Sequence, residues 1–424
     1  MRDGVGVRKR LGGLAVALLP VMPSGVEAQT VTVPPDTVST VYVSDTLVGY
    51  GAVGGIASDA LGFAYVADFR NTLWRLDPEG HVTPFASGFY GASGNAVGPR
   101  GEVYQSSFNG NYVSRISRTG EAEMYAEQGL FGPVGIAVAP DGELFVCNCT
   151  DGTVARVGTD RMARPFAESE LLACPNGITF DDRGDLYVVN FNNTLVVRIT
   201  PDGEVTRFTD IPGAGGNGHI TFARGGFYVT KFRGNQVFRV GRDGSVRVVA
   251  GTGQPGGADG PALEATFTRP NGVAVSPTGK EIWVNDLVEG SGVGIGPSRV
   301  ALRRIRVVSL SDVLASVSAD DGVEGVRLVH EAYHAQRPDE DTTADAITLA
   351  FQWMSSGRVG QGLALHELNA AAFPESLPAL YNLGEAYRFT GQPERAAERY
   401  RQVLERDPEH PLAGARLALV GGAS

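Results

Sequence analysis

Cysteine and histidine are scarce in this 424-residue chain, with three of the first and six of the second. Cys147, Cys149 and Cys174 are too few and too irregularly spaced for a disulfide framework or a cysteine-based zinc site. At most one bridge can form, and the sequence leaves open whether Cys174 pairs with Cys147 or Cys149. Positive charge is also short. Thirty-six Lys and Arg against 47 Asp and Glu leave a net charge of −11, which argues against a nucleic-acid or anionic-membrane partner. Long apolar runs are absent beyond the first residues, so no membrane span is expected in the mature chain.

Those first residues carry Arg2, Arg8, Lys9 and Arg10, then an apolar stretch over residues 11–22, then Val26-Glu27-Ala28, a small-x-Ala cleavage pattern. Residues 1–28 therefore read as a signal peptide, and the expected location is secreted or periplasmic. What the chain has in plenty is glycine and proline, 57 and 24 residues with no collagen-like period, which suits an architecture of many tight turns.

Self-similarity organises the middle of the chain. Turn glycines recur at Gly62, Gly101, Gly142, Gly184, Gly225 and Gly279, and arginines at Arg75, Arg115, Arg156, Arg198, Arg239 and Arg304. Each interval of about 40 residues holds about four short alternating strands, the pattern of a propeller blade. Six blades follow. The sixth lacks a clear fourth strand, and residues 39–45 resemble the outer strands of other blades, so an N-terminal strand is expected to close the ring. Cys149 stands where other blades end their second strand in Phe69, Phe108, Phe191 and Phe232, which makes it a packing residue first.

This repeat resembles the NHL-repeat and senescence-marker-protein/gluconolactonase group of six-bladed propellers over residues 38–310, and residues 248–275 look especially like an NHL repeat. Past a linker at 311–322, a helical period takes over in residues 323–420. There Leu383, Gly384, Tyr387, Ala396, Tyr400 and Pro408 resemble a tetratricopeptide repeat. A degenerate copy precedes it at Leu349, Ala350, Trp353, Gly357, Gly362, His366 and Pro374. The expected fold class is an all-β propeller followed by an all-α tetratricopeptide-type module, and the second resemblance implies a protein or peptide partner on the helices.

Three short motifs are set aside. His330-Glu331-Ala332-Tyr333-His334 matches H-E-x-x-H, but the residues after it turn polar and no third ligand is placed. Gly213-Ala214-Gly215-Gly216-Asn217-Gly218 matches G-x-G-x-x-G, yet a strand rather than a helix follows. The Gly-rich residues 251–257 lack the ending of a phosphate loop.

Comparing the blades with one another points to the channel mouth. Eight residues before each turn glycine stand Gly54, Ser93, Val134, Asn176, Asn217 and Asn271. Three asparagines with backbone carbonyls suggest an oxygen-rich site for a divalent cation, calcium or zinc. The gluconolactonase resemblance implies a metal held by a first-blade acid plus later Asn and Asp, but the first-blade position reads Val53-Gly54-Gly55. The second strands end in Asp68, Ser107, Asn148, Asn190, Lys231 and Asp286, mostly turn-capping types. Lys231 and His219 share the fifth blade and suggest a pair that binds a carboxylate or activates water. The long insertion over residues 251–269 is expected to cover the mouth, as is that over residues 287–298. The ring holds only His81 and His219, too few for the histidine ligands that an amidating-lyase resemblance would imply. The function expected is non-catalytic binding, with Ser93, Asn176, Asn217, His219 and Asn271 facing a small ligand. The alternative is a metal-dependent hydrolase of lactones or esters, with His219, Lys231 and Asp286 as candidate catalytic groups.

Overall fold

Five of the repeats fold into four-stranded antiparallel sheets and the sixth into a five-stranded one, and the six sheets are set around one axis in the computed structural model, which describes residues 31–50, 53–288 and 297–421. The innermost strands are Ile56–Ser58, Ala92–Val97, Pro133–Val138, Pro175–Phe180, Ile220–Ala223 and Val273–Val275. The second strand of each blade is covered on both faces by neighbouring blades, so strands such as Leu144–Asn148 and Leu186–Asn190 are buried throughout. Outer strands such as Ala163–Glu168 show an exposed face.

The sixth blade is built from both ends of the propeller sequence. The strand Thr37–Tyr50 pairs antiparallel with Pro297–Arg306, so the chain's first strand supplies the blade's outer position. The insertion over residues 251–269 does not lie over the mouth. It runs to the outer edge of that blade, where Gly260–Pro261 bridges to Thr37 and Val38. Its Ala262, Ala265 and Phe267 join Val237, Val249, Val273 and Ile305 in one apolar cluster between blades five and six. Three apolar side chains in the insertion explain this, because burying each is worth about 1 to 3 kcal/mol and a lid would leave them wet. Most of the residue 287–298 insertion lies outside the described residues.

Blade five differs from the rest in its first hairpin. Ala223 pairs with Gly226, leaving Arg224 and Gly225 as a two-residue turn with φ of 53° and 73°, the positive pair that a type I′ turn requires. Blade four spends more residues there, pairing Phe180 with Leu186. The shorter turn also removes an acid. In blades three, four and six the repeat arginine pairs with an acid just before or at the start of its own second strand: Arg156 with Glu143, Arg198 with Asp185, Arg304 with Glu281. In blade five that position is Gly226.

Asp339, from the helical region, takes the vacant place. That region comprises α1 (Leu310–Leu314), α2 (Gly322–Gln336), α3 (Thr343–Ser355), α4 (Val359–Ala372), α5 (Leu377–Phe389), α6 (Pro393–Arg406) and α7 (Ala413–Gly421). It begins just before residues 311–322, the stretch expected to be a linker, because Ser309 and Asp312 form a capping box that starts α1. Ser376 caps α5 through Ala379 N–H, and Pro393 starts α6. Ala379, Leu380, Leu383 and Tyr387 bury one stripe of α5, and Gly384 admits the Tyr400 ring, which an added Cβ would meet at 2.7 Å.

Between α2 and α3 the chain turns back to the propeller. Fully buried Arg239 donates to Asp339 at 2.7 Å, and Arg247 donates to both Asp339 (3.0 Å) and Glu340 (3.2 Å). Arg224 and Tyr333 each reach Glu340 at 2.8 Å, while Arg337 holds Asp36 at 2.9 Å. Burial alone would disfavour the Glu340 carboxylate, but the guanidinium groups of Arg224 and Arg337 outweigh it and hold its carboxyl down at about 2. These contacts gather at the Arg224–Gly225 turn, on the face opposite the entries of the inner strands.

Replacing Glu340 by Gln strands buried guanidinium groups, so Glu340→Gln should cost about 3 kcal/mol in urea unfolding. The wild type should lose the same contribution in acid. A carboxyl held below its unfolded value of about 4.3 stabilises fully above that pH and progressively less as pH falls towards 2.

Candidate functional site

At the mouth the inner strands come too close for side chains. A Cβ on Gly94 would stand 2.3 Å from Val134 O, one on Gly135 2.2 Å from Asn176 O, and one on Gly177 2.7 Å from His219 Cα. Gly55 and Gly272 complete the set. Backbone bonds fix the equivalence: Gly55 N–H donates to Ser93 O and His219 N–H to Asn271 O, both at 2.9 Å. Ala67 N–H donates to Gly55 O and Thr230 N–H to His219 O in the same way. Five blades therefore place glycine at this level, and the fifth blade places His219.

The imidazole fills the space those glycines leave. Its Cε1 lies 3.0 Å from where a Gly55 Cβ would be, on a blade that is not its neighbour in the ring. His219 is 8% exposed, its Nε2 is buried without a hydrogen-bond partner, and burial pushes its pKa down to about 4. It is a neutral base at pH 7.

Counting residues from the turn glycine misplaces Asn217 by one, because the shortened hairpin shifts the register. Gly218, not Asn217, is the counterpart of Asn176 and Asn271. Asn217 turns aside, donating to Leu195 O at 3.3 Å and accepting from Lys231 Nζ at 3.2 Å. The other two asparagines clamp neighbouring blades. Asn176 donates to Gly218 O at 2.7 Å, Asn271 donates to Val53 O, and Asn285 behind it reaches Gly54 O at 2.8 Å. Asn95 reaches Gly55 O at 3.3 Å. Ser93 contributes its carbonyl.

These donors do not fit a gluconolactonase-type metal. The three asparagines do not form one set, and no carboxylate joins Asn176 and Asn271. Asp286 accepts Thr268 N–H at 2.7 Å and pairs with buried Arg303 at 3.3 Å, so it anchors the 251–269 insertion. Among the described residues no three His, Cys, Asp or Glu side chains gather as a metal cluster. His219 and Lys231 do not act as a pair either, since the imidazole lies at the axis and the ammonium lies between Ile211 O and Asn217. In α2, Glu331 is tied to Arg327 at the surface while the tilted rings of His330 and His334 pack on each other at 4.4 Å, which separates the elements of H-E-x-x-H.

Around the mouth runs a rim that sequence comparison missed. Tyr90 and Phe131, in the loops entering blades two and three, are 65% and 51% exposed. Half-buried Phe69, Phe108 and Phe191 lie at the second-strand ends of the same face. Phe69 packs on Phe108 at 5.9 Å and Phe191 on Phe232 at 5.4 Å. Blades three and four use the disulfide Cys149–Cys174 at this place, leaving Cys147 free and buried. The signal was available in aromatics placed just before strand-entry glycines, Tyr90-Gly91 and Phe131-Gly132. A shallow groove of about 250 Å³ lined by Met124, Tyr125, Arg161 and Met162 lies on the outer strands of blades two and three, away from the mouth.

A model of the virginiamycin B lyase family matches residues 57–290. No curated protein sequence matches the chain. A protein of unknown function from Bacteroides thetaiotaomicron VPI-5482 shares the fold with a TM-score of 0.53 and 18% identity, over 64% of this chain and 76% of that one. A catalytically inactive variant of virginiamycin B lyase from Staphylococcus aureus, solved with quinupristin, is 19% identical over 60% of this chain and 80% of that one, with a TM-score of 0.44. A gluconolactonase from Xanthomonas campestris is 16% identical over 68% and 99%, with a TM-score of 0.48.

The histidine gives a pH test. A folded pKa of about 4 lies below the unfolded value of about 6.5. The stability it carries is therefore full above about pH 6.5 and lost as pH falls towards 4, on the order of 3 kcal/mol. His219→Gln should flatten this part of the unfolding profile, and NMR should find the wild-type imidazole neutral at about pH 6.

Proposed function

Because the chain belongs to the virginiamycin B lyase family, we propose that its propeller mouth binds a small ring-containing ligand on the aromatic rim, without a resident metal. The observation that carries this reading is the exposure of Tyr90 and Phe131 beside Phe69, Phe108 and Phe191 on the face where His219 ends the channel. The glycine level is too narrow for a ligand to thread, so contact falls on the rim, where aromatic faces stack on rings at about 1 kcal/mol each. A virginiamycin B lyase solved with quinupristin makes that compound the first probe.

A second reading is favoured by one feature, the unbonded Nε2 of a histidine that is neutral at pH 7. In that reading His219 is the general base for proton abstraction from a bound ester. Metal-dependent hydrolysis is the weaker enzyme reading, since no carboxylate accompanies Asn176 and Asn271. We extend the proposal to export, supported by the bridge Cys149–Cys174, which persists in oxidising compartments.

Titration of the mature chain with quinupristin and simple lactones tests the reading. Saturable binding should survive a metal chelator and weaken about tenfold or more in Tyr90→Ala with Phe131→Ala. Binding that needs added calcium or zinc, or none to any probe, would overturn it. Turnover abolished by His219→Gln with binding retained would establish the base.

A further inference from the structure

Lys231 is wholly buried at the end of the second strand of blade five. Its ammonium donates to Ile211 O and Asn217 Oδ1, each at 3.2 Å. Both acceptors are neutral, the third N–H has no acceptor, and no carboxylate pairs with it among the described residues. A buried charge without a counter-ion is costly, and proteins normally supply one. Asp210, in the strand before, is occupied by Thr194 Oγ1 at 2.7 Å and by Arg207.

The two acceptors are the feet of an arch, Pro212-Gly213-Ala214-Gly215-Gly216. Gly213 and Gly215 have φ of 99° and 73°, while Ala214 between them keeps the ordinary hand. Alternation of this kind turns successive N–H groups to one side. The N–H groups of Gly213, Ala214, Gly215 and Gly216 have no acceptor among the described residues. Exposed Arg233 lies along the arch, since a Gly215 Cβ would meet its Cβ at 2.7 Å and its Cδ at 3.0 Å. It has no ion pair among the described residues.

We propose that this arch binds an oxyanion, the carboxylate or phosphate group of a small ligand, with Lys231 beneath it, Arg233 beside it and the free N–H groups of residues 213–216 as further donors. The site stands independently of the aromatic rim. It puts the Gly-rich motif to use without any nucleotide fold. The opposing account makes Lys231 only a staple for the arch, and it gives Arg233 no role.

Inorganic phosphate and, separately, acetate would be titrated into the full chain at ionic strength held constant with chloride. Melting temperature and amide hydrogen exchange would both be followed. At least one anion should stabilise saturably and slow exchange at residues 213–216, and which one does so identifies the group bound. Arg233→Gln is a surface change that should leave the melting temperature in anion-free buffer unaltered and weaken binding at least about tenfold. Lys231→Met should abolish binding. Should that variant not fold, the exchange data and Arg233→Gln decide alone. Failure of both anions to saturate, protection elsewhere than the arch, or unchanged affinity in Arg233→Gln would overturn the proposal.

Discussion

Six backbones meeting around one axis can approach only as closely as their side chains permit, and the mouth of this propeller follows from that constraint. Hydrogen is the only side chain accommodated at Gly94, Gly135 and Gly177, where carbonyl oxygens or backbone atoms of the next blade occupy the Cβ position. Close approach then lets Asn176, Asn271 and Asn95 span from blade to blade with short amide side chains. An oxygen-rich ring thus serves cohesion, and the space left at its centre admits one imidazole.

That imidazole is there because one hairpin is short. The two-residue turn at Arg224 and Gly225 moves the entry of blade five by one position, bringing His219 to the glycine level and turning Asn217 towards Lys231. The same hairpin lacks the acid that pairs with the repeat arginine in blades three, four and six, so Arg239 is open to Asp339 from the helical region. One local irregularity therefore shapes both ends of the blade, the mouth on one side and the domain junction on the other.

Blade number and strand order were legible in the sequence because turn glycines, strand alternation and repeat arginines are local signals at a fixed period. Helix limits were readable for the same reason from Ser376 and Pro393. The site was much less so. Whether Asn176 faces a ligand or a neighbouring carbonyl depends on an acceptor about 40 residues away in another blade, and spacing within one repeat carries no trace of it. Counting from Gly225 failed through a deletion that only strand pairing exposes. The insertion was expected over the mouth because a loop entering an innermost strand starts from that face, whereas Ala262, Ala265 and Phe267 decide its place. The disulfide partner of Cys174 was undetermined because Cys147 and Cys149 stand only two residues apart, and the sequence does not show that the strand ends between them, with Cys147 in its buried interior and Cys149 in the turn beyond.

The closure of the sixth blade bears on synthesis. Asp36 accepts Val308 N–H, a contact 272 residues apart in the chain, and the strand that follows Asp36 has its partner in Pro297–Arg306. On the ribosome that first strand has nothing to pair with until nearly the whole propeller has emerged, and its open edge could meet the same edge of another chain. Late ring closure of this kind makes folding slow and places a premium on holding the nascent N-terminal strand apart from other chains, a demand set by topology alone.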